Sequence, residues 1–273
     1  MTDPLRGQYW LGHPGALLPI RAKVGKLARK SEQTITFKAS ASGRRRAYMA
    51  PVTTQREWSV EIPYVLPEEV AALHELLAAT YPPYVWVEPW ATVTNLLTPV
   101  ASTIRAATPD VAQAGRWPMA GGGYAAVSAV NPTRATLVLG TAPVLPGLPV
   151  AGTVWVATAT SASASLTWLD SAGAAIGSAL VSATATGMLT LARLFVTGMP
   201  PANAARCQLA VTGAEVLARA AVTWTAIPMP WAVGGGVAQV VVYGLNDDIQ
   251  RASPDDLNMR RSTVSFTVTE VGS

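Results

Sequence analysis

Two histidines, one cysteine and sixteen acids are the residues that could do chemistry in this chain, and their spacing argues against catalysis. His13 and His74 fall in different predicted elements, and no second His or Cys is placed to complete a metal site. No HExxH, CxxC, GxSxG or Walker pattern occurs. Cys207 lies in the alternating apolar run "AARCQLAVTG", reads as a small core residue, and has no partner for an internal disulfide. The pairs Asp247-Asp248 and Asp255-Asp256 flank the last hairpin and read as solvated turn acids, with cation binding the alternative. A glycosidase needs two acids across a cleft. Between residues 95 and 231 only Asp110, Asp170 and Glu215 are available, and Asp170 sits in the turn "LDSAG". The glycine runs "AGGGYAA" and "VGGGVA" do not join a strand to a helix, so neither is a phosphate loop. We expect no enzymatic activity, no cofactor and no metal.

Binding chemistry has more material. Of nine tryptophans, Trp58, Trp155, Trp168 and Trp224 sit within predicted strands and are expected in the core. Trp117 sits with Tyr124 in the Gly/Pro-rich stretch "GRWPMAGGGY", expected to be a loop. Exposed rings on such a loop grip sugars by stacking, so Trp117 and Tyr124 are the candidate carbohydrate-binding residues. The competing reading is a plug packed beneath a long loop. All four lysines and the Arg44-Arg45-Arg46 triplet precede residue 47. Lys38, Arg44, Arg45 and Arg46 form a candidate basic segment, facing a neighbouring subunit or a DNA-containing lumen; the competing reading is a solvated hairpin flank.

The elements that must position these residues follow from composition and alternation. Only 13% of residues are charged, against about 25% in average soluble proteins. Apolar residues come in short runs, never the roughly 20 that span a membrane, so no membrane insertion is expected. The N-terminus lacks a basic stretch followed by an apolar one, so no signal peptide is expected. From Asn95 to Trp231 there are nine charged residues, and the other 27 fall outside. So sharp a step, twice, predicts one domain inserted in another: 1–94 and 232–273 as the host, 95–231 as the insert. In the host, "REWSVEIPYV" alternates with the period of a half-buried strand, as does "STVSFTVTEV". "LPEEVAALHELLAAT" is a helix, with Glu68 and Glu69 in its first turn and Val70, Leu73 and Leu77 as its buried stripe. The insert is strand and turn throughout: "ATLVLG", "VAGTVWVATAT", "SASLTWLDSAGAAIG", "TLARLFVTG", "AARCQLAVTG" and "RAAVTWTAI". The expected fold is mainly β: a β-sandwich with one flanking helix, interrupted by an inserted β-sandwich or jelly roll.

Two resemblances attach to these segments. "PVLPGLPVAGTVWVATAT", "ASLTWLDSAGAAIG" and "LARLFVTGMPPANAARCQLAVTG" resemble, in that order, carbohydrate-binding modules of the family-4/9 type. "YWLG", "REWSVEIPYV", "YVWVEPWATVTNLLTP" and "RRSTVSFTVTEVG" resemble distal tail or minor tail proteins of siphophages that infect actinobacteria. The second resemblance covers the host segments and implies a structural virion protein at the tail tip, assembled in the host cytoplasm. It implies a homo-oligomeric, commonly sixfold ring that links the tail tube protein to the baseplate hub, with a tail-tube-like sandwich as its host domain. The insert would project outward, where host cell-wall polysaccharide is the ligand it would meet. The alternative is a glycan-binding adhesion module in which the host domain serves only as a mount.

Overall fold

Alternating apolar residues draw more than half of the described residues into strands. The computed structural model describes residues 8–21, 35–39, 45–49, 56–79, 81–104, 112–113, 115–235, 237–251 and 261–271. Strands β1 (Tyr9–His13) and β2 (Ala16–Ile20) come first, then β3 (Ile35–Ala39) and β4 (Arg45–Met49). Strand β5 (Glu57–Val65), helix α1 (Pro67–Ala79) and β6 (Tyr84–Val87) follow, with the one-turn helices α2 (Ala91–Thr94) and α3 (Pro99–Ser102). Four short strands come next: β7 (Ala112–Gln113), β8 (Trp117–Pro118), β9 (Tyr124–Ala125) and β10 (Ala129–Val130). The long strands are β11 (Leu137–Pro143), β12 (Val150–Leu169), β13 (Ala175–Val181), β14 (Ala185–Gly198), β15 (Arg206–Thr212) and β16 (Val216–Thr223). The chain closes with β17 (Val237–Arg251) and β18 (Arg261–Glu270). The fold is mainly β, as the sequence predicts. Helix α3 lies where strand and turn were expected; Thr98 caps it by accepting the Ala101 N–H, and Pro99 supplies its first residue.

The chain forms two compact units, each made of two stretches: Met1–Pro19 with Val85–Ala238, and Ile20–Tyr84 with Gln239–Ser273. This division differs from the expected 1–94, 95–231 and 232–273, because residues 1–19 and 85–94 group with the middle of the chain. The reason is packing. Strand β1 pairs with β6, Trp10 opposite Val87. Trp10, Val87 and Ala91 are buried in one apolar core with the middle strands.

In the smaller unit, β18 pairs with both β17 and β5. The predicted alternation holds: Trp58, Val60 and Ile62 of β5 and Val264, Phe266 and Val268 of β18 are buried. At the sheet's end the Arg56 guanidinium grips the Glu270 carboxylate through two bonds, of 2.8 and 3.0 Å. Helix α1 starts where Glu69 reaches back to accept the Leu66 N–H at 3.2 Å, one half of a capping box. It buries Val70, Leu73 and Leu76; the expected Leu77 is only half-buried, and His74 is exposed. Strands β3 and β4 form a hairpin with Lys38 and Arg46 as cross-strand partners and Arg45 opposite Ala39. Arg44 lies outside the described residues.

The larger unit is a sandwich built around β12. Its first part pairs with β14 and β16, and its second part with β15 and β13. One 20-residue strand therefore belongs to both sheets, where two strands were expected. The segment between Thr158 and Ser165 is Ala, Ser and Thr, with no turn residue to end a strand. Register shifts between Val156 and Ser161 let it bend from one sheet to the other. Val154, Val156, Leu166, Leu209, Val211 and Leu217 fill the space between the sheets. Cys207 is fully buried there, and burial pushes its thiol up to about 12, so it stays protonated at neutral pH.

One buried asparagine ties the two places where the chain crosses into and out of the middle region. The Asn95 amide nitrogen donates to the carbonyls of Ala220 and Ala232, both at 2.9 Å. Its oxygen accepts the N–H groups of Leu97 at 3.1 Å and Val222 at 3.2 Å. The segment runs on beside β16, with Leu96 N–H to the Val222 carbonyl and Trp224 N–H to that of Thr92. On the outbound side the Gly234 N–H donates to the Ser102 hydroxyl at 2.9 Å. A Cβ at Gly234 would lie 2.0 Å from the Leu97 carbonyl oxygen, so only glycine fits.

Candidate binding surface: an arginine–aromatic cluster

Trp117 and Tyr124 sit in a small hairpin, not in an open loop. Strand β8 pairs with β9, Trp117 opposite Ala125 and Pro118 opposite Tyr124. Between them Gly121, Gly122 and Gly123 all have positive φ, at 90°, 99° and 78°, a run that residues with a side chain do not make. The hairpin is anchored to β14 by the Ala120 N–H, which donates to the Leu191 carbonyl at 2.8 Å.

The register separates the two candidate rings. Side chains alternate across a strand, so Trp117 shares a face with Ala125, and Tyr124 shares the opposite face with Pro118. Burial agrees. Ala125 is fully buried, and Trp117 packs half-buried against Ala125, Ala157, Leu191, Val216 and Ala218. Tyr124 is 51% exposed. The two do not form one stacking platform. Trp117 packs as the plug that the sequence offered as the competing reading. Trp117→Ala is expected to lower stability by about 2 kcal/mol, through lost packing. Tyr124→Ala should stay within about 0.5 kcal/mol. Thermal unfolding of the two variants side by side checks this.

Around Tyr124 the structure assembles residues that sequence reasoning missed. The Arg116 guanidinium lies 3.6 Å from the centre of the Tyr124 ring. Arg219 donates to the Tyr124 carbonyl at 3.3 Å, and its guanidinium lies 5.3 Å from the Trp231 ring. Trp231 is held by its indole N–H, donated to the Ala220 carbonyl at 3.1 Å. Arg219 reaches this position through a break in strand register. Strand β16 shifts against β12 between Ala218 and Ala221, and Arg219 takes a φ of 55°. A bulge of this kind re-aims a side chain, at a backbone cost of about 1–3 kcal/mol. The sequence carried a faint signal: "GRWP" and "VLARAAVTW" each place one arginine in an otherwise uncharged stretch.

The charge of the cluster is uncompensated among the described residues. Glu215 is paired with Arg134 at 2.6 Å, and Asp170 accepts the Ala174 N–H within its own turn. Two guanidiniums and two rings in this arrangement can hold a planar or anionic group, by fork-like hydrogen bonds and by stacking. No set of three or more metal-ligating side chains gathers among the described residues. The basic hairpin β3–β4 belongs to the smaller unit.

No protein-family model matches the chain, and no curated protein matches it. Among solved structures it is similar to the enzymatically active domain of bacteriophage CBA120 tailspike protein 4. That likeness has 13% identity and a TM-score of 0.34, covering 50% of this chain and 22% of that one. It is also similar to the CBM22-1–GH10 modules of Clostridium thermocellum xylanase 10B, at 13% identity and TM-score 0.34, covering 51% and 30%. A third is a carbohydrate-binding module of the β-sandwich superfamily, at 9% identity and TM-score 0.26, covering 81% and 93%. The chain thus matches under a third of the length of the first two, and likenesses at this level identify no family.

Proposed function

We propose that this chain is a structural protein of a phage tail, in which the smaller unit is the mount and the larger unit the module it carries. The observation that supports this most is the chain path, which alternates between the two units. The smaller unit is interrupted after Tyr84 and resumes at Gln239, and Asn95 binds Ala232 across the interruption. The long excursion from 85 to 238 is closed on itself near its ends, as a module carried on an assembling subunit requires, and residues 1–19 pack with it. The motif resemblance supplies the rest of the reading: a homo-oligomeric ring at the distal end of the tail tube, between tube and baseplate hub. The role requires no catalysis. Negative-stain images of the purified protein are expected to show closed rings, and antibody to this chain should label the tail tip. A protein that stays monomeric at assembly concentrations and labels no virion sinks the proposal.

A second reading concerns the carried module and rests on the cluster of Arg116, Tyr124, Arg219 and Trp231. In it the module adheres to an anionic host cell-wall polysaccharide. Each guanidinium or ring contact contributes on the order of 1 kcal/mol, so Arg116→Ala with Arg219→Ala should weaken binding to purified wall polymer by about 30-fold. Binding should also fall as salt rises. Binding that is equal in the double variant and indifferent to salt removes this surface from consideration.

A further inference from the structure

Among the described residues, strand β14 is paired with another long strand along one edge only. Its partner there is β12, from Gly198 opposite Val150 back to Ala185 opposite Ala162. Among the described residues the other edge is engaged at Leu191 alone, which bridges Met119 and whose carbonyl accepts the Ala120 N–H. Backbone groups along a strand alternate in direction. Those of Arg193, Phe195 and Thr197 therefore point the same way as those of Leu191, with no strand among the described residues to meet them. The protein treats another edge differently. Strand β5, at the margin of its sheet, carries Glu57, Glu61 and Pro63, the residues that keep an edge from pairing. From Ala185 to Gly198, β14 has no proline, no lysine and no acid.

A groove of about 330 Å³ follows this open edge, lined by Leu180, Val181 and Ser182 on one side and Arg193, Phe195 and Thr197 on the other. Its rim is apolar: Val181 is 63% exposed and Phe195 51%. Arg193 is the charged residue in it. One of its amino groups donates to the Met229 carbonyl. Its Nε is buried with no partner among the described residues. No acid lines the groove, and burial lowers the guanidinium's hold on its proton. Among the described residues, the site presents unpaired backbone donors and acceptors at strand spacing, a cation with no acid beside it, and an aromatic ring two residues beyond it on the same face.

We propose that this groove binds an extended peptide strand carrying an acidic side chain. The backbone of the incoming strand adds to the free edge of β14. Its carboxylate meets Arg193, and an apolar side chain two residues along packs on Phe195 and Val181. A polypeptide suits the site better than a saccharide, because the unpaired groups repeat at the two-residue interval of a β-ladder.

The test uses the full chain and a fluorescent synthetic peptide of alternating valine and threonine with one central glutamate. The peptide should bind, and replacing its glutamate by glutamine should weaken it about tenfold. Arg193→Gln should bring the two peptides to equal affinity. Thr197→Pro removes one outward N–H at an edge position where proline is tolerated, and should weaken both peptides about tenfold or more. Hydrogen exchange on the unaltered protein gives a readout that no variant can spoil: the amides of Phe195 and Thr197 should gain protection when the peptide is added. The proposal is overturned if the glutamate and glutamine peptides bind alike. It is equally overturned if protection appears elsewhere, or if an oligogalacturonate occupies the groove and the peptide does not.

Discussion

Asn95→Leu is expected to destabilise the larger unit by about 3–5 kcal/mol. The leucine is close in size and apolar, so the loss comes from what it leaves behind. The Ala232 carbonyl and the N–H groups of Leu97 and Val222 lose the partner that Asn95 provides. Each stranded buried group costs about 1–3 kcal/mol. The Ala220 carbonyl keeps Trp231 and loses less. With a whole-protein stability of about 5–15 kcal/mol, the variant should unfold at a much lower denaturant concentration. The Val222 amide should exchange quickly even under native conditions. If Asn95→Leu melts within a degree or two of the parent, water satisfies these groups and the side chain does not tie the crossing.

The second large effect is expected at Trp224. Its ring is fully buried; it meets Trp10 edge-on at 6.1 Å, and its N–H donates to the Pro143 carbonyl at 2.9 Å. Trp224→Ala should cost about 3–5 kcal/mol through the cavity it leaves. Trp224→Phe keeps most of the packing and strands the Pro143 carbonyl, and should cost about 1–3 kcal/mol. Denaturant titration of the two variants separates the terms. Equal losses would mean that the hydrogen bond carries the site; a negligible loss in the phenylalanine variant would mean that packing alone does.

The parts of this fold that were legible in the sequence are those where alternation is strong. Trp58, Val60 and Ile62, and Val264, Phe266 and Val268, each put three large apolar residues on one face, and burial has no other way to place them. The joining of β12 was hidden because alanine, serine and threonine between Thr158 and Ser165 carry no boundary signal in either direction. The limits of the compact units were hidden for a related reason. Charge density marks where solvent is, not which strands pair, and the pairing of β1 with β6 joins Trp10 and Val87, 77 positions apart, without any charge to announce it. At the candidate surface, Tyr124 was visible as an aromatic in a glycine-rich stretch. Its separation from Trp117 depends on register, and its companion Arg219 depends on a bulge, and neither can be read from residue types alone.

The bond from Asn95 to Ala232 also decides where mechanical load travels. Tension on the smaller unit would pull on the chain where it leaves that unit after Tyr84 and where it returns at Gln239. The side chain of Asn95 and the Gly234–Ser102 bond join the inbound and outbound chain directly, a short circuit across 137 residues. Force entering by one crossing leaves by the other through these few bonds. Asn95 also bonds Ala220 and Val222, so β16 shares that load, while the long run of chain between the two crossings is relieved of it.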